Sequence, residues 1–239
     1  MTKLPLVLLA LAACPKGNYS KKTIEPPQNG SGDAGRVLLP NDAAQAQRPP
    51  APPLPEVPFG LPPVPAGVLE AITPEQVQTG GELFADARLS SDGKSSCATC
   101  HDPANHFVGK SGEPQLVNLA WNSAAIAKLP AHVADVMHRA IAAPDIAALS
   151  AFVVTRYSGD SVWDHLERGT PAKDDPIVLG YKLFNSKGCA VCHTPPLYTD
   201  LRSHDSGEGA KPTRGLRGVA QRSPLSFGGG RAAKTLAGS

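Results

Sequence analysis

Residues 97–101 read Cys97-Ala98-Thr99-Cys100-His101, and the pattern returns 92 positions later as Cys189-Ala190-Val191-Cys192-His193. C-x-x-C-H is the attachment signature of c-type haem. Two thiols three positions apart can reach the two vinyl groups along one porphyrin edge, and the imidazole that follows is held against the iron. Four of the five cysteines are consumed by the two motifs. Two rival readings stand beside haem. A structural zinc site would draw four ligands from both motifs and would not require histidine directly after each pair. A thioredoxin-type disulfide would sit on a βαβ pattern, which the sequence does not show. The expected cofactors are therefore two covalently attached haem c groups, held by Cys97, Cys100, Cys189 and Cys192, with His101 and His193 as proximal iron ligands.

The chain has 239 residues, a net charge of +2 and only 5% aromatic residues. That charge excludes an electrostatic nucleic-acid partner. A covalent haem adds a large apolar plate to a small core, which lets a short domain fold with few aromatics.

Residues 1–13 read as an export signal, with Lys3 in the positive region and an apolar run over 4–11. The run is too short for a permanent membrane span. It ends in Leu11-Ala12-Ala13-Cys14, which resembles a bacterial lipoprotein processing box; the alternative is an ordinary signal peptide with a stray cysteine. Lipidation at Cys14 accounts for the odd cysteine and anchors the chain to a membrane. The position expected is the outer membrane facing the periplasm. Residues 14–67 then read as a disordered tether. Arg48-Pro49-Pro50-Ala51-Pro52-Pro53 and Leu61-Pro62-Pro63-Val64-Pro65 favour extended polyproline II. At ~3.1 Å per residue such a tether reaches on the order of 150 Å.

Folded sequence is expected from residue 68, with a first haem c domain over 68–170 and a second, shortened one over 171–239. Thr73-Pro74-Glu75-Gln76 supplies an N-cap, a proline in the first turn and early acid. Gly80 and Gly180 each begin a Gly-x-x-Leu-Phe run, completed by Leu83-Phe84 and Leu183-Phe184. Each run precedes a turn and then a haem motif, so helix, turn and motif form an internal repeat. Helices are also expected over 131–142, 145–157 and 161–167, the last two bridging the domains. The fold class is mainly α, with two cytochrome c-like haem domains after the disordered tether.

Leu83-Phe84-Ala85-Asp86-Ala87-Arg88-Leu89-Ser90-Ser91-Asp92-Gly93, continued by the first motif and Asp102-Pro103-Ala104, resembles the first haem domain of the bacterial di-haem cytochrome c peroxidase family. Pro114-Gln115-Leu116-Val117-Asn118, Ser158-Gly159-Asp160-Ser161, Trp163-Asp164 and Pro196-Leu197-Tyr198-Thr199-Asp200 are similar to later landmarks, and residues 213–219 to the loop after them. The resemblance implies a periplasmic redox protein that reduces hydrogen peroxide with electrons from a small donor protein of cytochrome or cupredoxin type. It implies one haem as the peroxide site and another that stores an electron. The chain departs from the family in two places. The motifs are close together, and the family's Trp-Asp-Gly-Arg stretch and its acid/base carboxylate are missing between them. The C-terminal iron-ligand position falls near Ser226, a weak donor. A non-catalytic di-haem electron carrier is the alternative reading.

The inventory of sixth ligands is short. Met137 is the one methionine after Met1, so at most one haem has His/Met ligation. His132, His138, His204 and His106 are the further candidates, and an iron without a strong sixth ligand would be open to peroxide. Asp135 and Glu167 are the acids to inspect for proton transfer, against the reading of solvated helix faces. Trp121 and Trp163 read as core aromatics first and as electron relays second.

Overall fold

The computed structural model describes residues 48–109, 115–169, 174–205, 209–219, 225–226 and 232–233. Residues 1–47, with the expected export signal and Cys14, lie outside the described residues. The described part is mostly helical, and its only strands form three two-stranded antiparallel hairpins.

Helix α1 (Pro74–Ala85) begins where the capping signals place it. The Thr73 hydroxyl accepts from the Gln76 N–H, and the Gln76 side chain accepts from the Thr73 N–H. It buries Gly80, Leu83 and Phe84. After a 3₁₀ turn at Ala87–Leu89, the one-turn helix α2 (Cys97–Cys100) carries the first motif. Strand β1 (His101–Asp102) pairs with β2 (Val108–Gly109), so the ladder starts at the motif histidine.

Helix α3 spans Ser123–Met137 and starts earlier than the expected 131. The start is set by Asn122, whose side chain accepts from the Ala125 N–H, and Pro130 is accommodated inside. His138, in the left-handed region at φ 53°, ends it. Helix α4 (Ala143–Val154) does not bridge two halves as expected. It packs on α1, and the two come very close: a Cβ on Gly80 would lie 1.9 Å from the Ala148 carbonyl oxygen. Only glycine allows that crossing.

The core gathers Leu83, Phe84, Leu89, Leu129, Val133, Met137, Leu149, Val153 and Val154. Phe84, Phe107 and Phe152 meet with centroids 5.2–5.9 Å apart. The few aromatics are thus concentrated where edge and tilted contacts add to burial.

From Arg48 onward the proline-rich segment is extended but lies against this body. Arg48 pairs with Glu82 at 2.6 Å and donates to Thr79. The Trp121 indole N–H donates to the Pro63 carbonyl, and Val64, Val68, Leu69 and Ile72 pack on the core. Farther along the fold, Phe59 stacks on His165, and the Arg168 guanidinium lies 4.3 Å from the centroid of the Phe59 ring. The Asp160 N–H donates to the Phe59 carbonyl. The segment is a strap that touches α1, Trp121, His165 and Arg168.

Helix α5 (Val162–Arg168) is capped reciprocally by Ser161 and Asp164. Helix α6 (Pro176–Ser186) repeats the sequence of α1 but not its packing. It has no buried residue, and nothing lies within 4 Å of a Cβ placed on Gly180. The second motif follows on a 3₁₀ turn (Cys189–Val191), then β3 (Ser203–Asp205) paired with β4 (Ala210–Pro212), and β5 (Leu225–Ser226) paired with β6 (Ala232–Ala233).

Candidate haem sites

The first motif is held tightly. Ser96 and Thr99 exchange capping bonds across α2, so both thiols project from one short turn. Cys97 and Cys100 are half-buried, and burial pushes the Cys97 thiol up to about 11. His101 is 6% exposed and lines a cavity of about 440 Å³. Leu116, Leu119, Leu129 and Leu197 give the cavity apolar walls, while His132, Lys128, Arg214 and Arg217 add polar groups. Residues around both motifs line it together.

The second motif is more open. Cys189 is exposed, and Cys192 and His193 are half-buried. His193 Nδ1 lies 3.3 Å from the Tyr198 carbonyl. A carbonyl only accepts, so Nδ1 carries the proton and Nε2 is left as the ligating nitrogen. Ile177, Leu179, Leu183, Val191 and Leu201 present apolar surface outward around this motif. Trp163, Tyr181, Phe184 and Tyr198 form an aromatic row beside it. Burial first, then the Glu167 charge, pushes the Tyr198 phenol up to about 12.

The remaining candidates are scattered. Of the histidines considered as distal ligands, His132 lines the cavity with His101. Met137 is 3% exposed within the hydrophobic core and is not among the cavity's lining residues. His138 is the exposed cap of α3, and His106 is exposed at the end of a 3₁₀ turn. His204 lies on β3, 2.6 Å from Asp200 and close to Cys192. Asp135 and Glu167 are exposed. Trp121 packs edge-on against Tyr157 at the core.

Residues 74–144, which hold α1, the first motif and α3, match the family model described as di-haem cytochrome c peroxidase. Over those residues the chain is similar to the di-haem cytochrome c peroxidases. It is 28% identical over 256 aligned residues to the methylamine utilization protein MauG of Methylorubrum extorquens, covering 84% of this chain and 69% of that protein. It is 26% identical over 201 residues to cytochrome-c peroxidase IdrP2 of a Pseudomonas species, covering 62% and 53%. The fold resembles the crystal structure of a MauG-like protein associated with microbial copper homeostasis, with TM-score 0.58 and 22% identity over 75% and 77% of the two chains. Relative to the peroxidases of this family the chain spans little more than half their length.

Similarity to these di-haem proteins supports haem as cofactor and a redox role. The residues present fit that group. A buried histidine beside two thiols faces an apolar cavity, and a second histidine is fixed by a backbone carbonyl with its other nitrogen available.

One feature of the site was not anticipated. Arg217 donates to both carboxylate oxygens of Asp164 at 2.7 and 3.0 Å, to the Pro196 carbonyl at 2.7 Å and to the Gly60 carbonyl at 2.9 Å. It ties the strap, α5 and the loop after the second motif to the cavity wall. The sequence marks both residues only as parts of family-like segments.

Proposed function

We propose that this chain is a periplasm-facing di-haem c-type redox protein that reduces hydrogen peroxide with electrons from a small donor protein of cytochrome or cupredoxin type. The observation that carries the reading is the placement of buried His101, next to the Cys97 and Cys100 thiols, on the wall of the 440 Å³ apolar cavity. Cys97 and Cys100 hold one haem and Cys189 and Cys192 the other, in domains over 68–170 and 171–239. When bound, the haems supply one-electron and peroxide-cleaving chemistry. The chain's residues do the rest. The apolar wall excludes water, and the cations Lys128 and Arg214 at the cavity suit haem carboxylates. His132 is the titratable cavity residue that can hold a proton near a reacting oxygen. The lipoprotein signal ending at Cys14 supports export and outer-membrane anchoring.

The carrier reading has its own support. The lining residues of this cavity include no carboxylate, and Asp135 and Glu167 are exposed elsewhere. A single preparation separates the two. The mass of the exported full chain should exceed that of the polypeptide by two haems. Its oxidised and half-reduced electron paramagnetic resonance spectra are then recorded with and without peroxide. A high-spin signal that responds to peroxide supports the enzyme. Two low-spin irons indifferent to peroxide leave the carrier. A chain that takes up no haem removes both.

A further inference from the structure

On the reading of His193 as an iron ligand, we infer that Arg217 is a positioning residue for that imidazole, and that the strap takes part in the support. The Tyr198 carbonyl accepts two hydrogen bonds, from His193 Nδ1 at 3.3 Å and from the Leu216 N–H at 3.2 Å. A carbonyl oxygen has two lone pairs, so its direction is set from both sides. Leu216 is the chain neighbour of Arg217. Arg217 in turn donates from Nε to the carbonyl of Pro196, two positions before Tyr198, at 2.7 Å. Its guanidinium lies 5.6 Å from the centroid of the Tyr198 ring. The backbone that holds His193 is thus tied on both sides to one buried side chain.

The guanidinium is itself held. Asp164, in the first turn of α5, accepts from both Nη atoms, and the Ser161 hydroxyl donates to Asp164 Oδ2 at 2.7 Å. The Gly60 carbonyl accepts from Nη2 at 2.9 Å. Gly60 has a φ of 84°, and a Cβ there would lie 2.1 Å from the Asp164 carboxyl carbon. Glycine alone lets the strap come this close. The strap therefore completes a clasp whose far side is the carbonyl partner of His193.

A carbonyl on the Nδ1–H fixes the ring's orientation and makes the opposite nitrogen a more basic ligand. A more basic ligand favours ferric over ferrous iron and lowers the reduction potential. Loosening the clasp weakens the Nδ1–H bond and should raise the potential of the haem on Cys189 and Cys192. Charge alone predicts otherwise. Removing a cation near the iron lowers the potential, and exchanging it for another cation leaves it where it was.

The test uses the full haem-loaded chain. It measures the second haem's potential by spectroelectrochemical titration and the hydrogen exchange of the His193 Nδ1–H by NMR. Arg217→Lys keeps the charge and loses the fork. Gly60→Ala keeps Arg217 and displaces the strap. Both should raise the potential and speed the exchange about tenfold, as for the loss of one hydrogen bond. Gly80→Ala, which disturbs the body at the α1–α4 crossing, should move neither. Both readouts unchanged in Arg217→Lys, or moved as far by Gly80→Ala, overturn the positioning role. A response to Arg217→Lys without one to Gly60→Ala overturns the strap's share. A chain that takes up no haem overturns the redox reading, and nitrogen NMR of His193 then decides the positioning role. The Nδ1–H tautomer should dominate in the parent chain and give way to a mixture in both variants. An unchanged tautomer overturns it.

Discussion

Arg217 grips Asp164 through two parallel hydrogen bonds, and the two side chains are 8% and 1% exposed. This is a buried fork-to-carboxylate pair with its remaining donors spent on the Gly60 and Pro196 carbonyls. Removing one partner strands a buried charge, at a cost of about 3–5 kcal/mol. Arg217→Leu and Asp164→Leu should each lower unfolding stability by that order in denaturant melts, while the double variant should recover part of the loss. Burial raises the Asp164 carboxyl, but bonds from Arg217 and Ser161 outweigh it and hold the group at about 2. The folded value is depressed below the ordinary ~3.9. The pair's contribution is therefore complete above about pH 4 and fades as pH falls towards 2. Asp164→Asn should flatten the acid limb of the stability profile.

The two repeat glycines should respond differently to the same change. Gly80→Ala pushes a methyl group into the Ala148 carbonyl and should cost at least about 1–3 kcal/mol. Gly180→Ala meets nothing and gains helix propensity of about 0.5–1 kcal/mol. Thermal unfolding of both variants checks the contrast.

Met137 and His132 are separable by spectrum and stability together. Met137→Ala opens a cavity in the core and should cost about 2–5 kcal/mol without changing the iron's ligand field. His132→Ala, on the cavity wall, should alter the optical or paramagnetic spectrum with little loss of stability. The opposite pattern would make Met137 the ligand.

Truncation should mark the strap. Removing residues 1–47 should leave the melting temperature of the folded body within a few degrees. Removing residues 1–67 takes away the Arg48–Glu82 pair, the Trp121–Pro63 bond and the Phe59 stack, and should lower it clearly.

Tyr198 should titrate late. Burial first raises its phenol to about 12, above the unfolded value of ~10. The stability this gives the neutral form is complete below pH 10 and is lost between about 10 and 12. Ultraviolet titration should therefore show a phenol ionising in that window, absent in Tyr198→Phe.

The legible parts of this molecule were those set by local chemistry. Thr73 to Gln76 announced the start of α1 and Ser161 the start of α5, and Gly80 stands in the repeated Gly-x-x-Leu-Phe run. What stayed hidden depended on distant partners. Gly180 sits in the same local sequence, yet a glycine's role is decided by the helix laid against it, and among the described residues none is. The prolines of the strap declared a segment without regular helix or strand. They could not declare that Trp121 and Arg217 would accept it as a partner.

The Arg217 to Gly60 bond closes a loop of 157 residues. During synthesis the guanidinium that clasps the strap is made 157 residues after Gly60, and that whole segment must exist before the contact can form. Long-range closure of this kind is slow, so the Gly60 part of the strap is secured after Arg48 has met Glu82 and Pro63 has met Trp121.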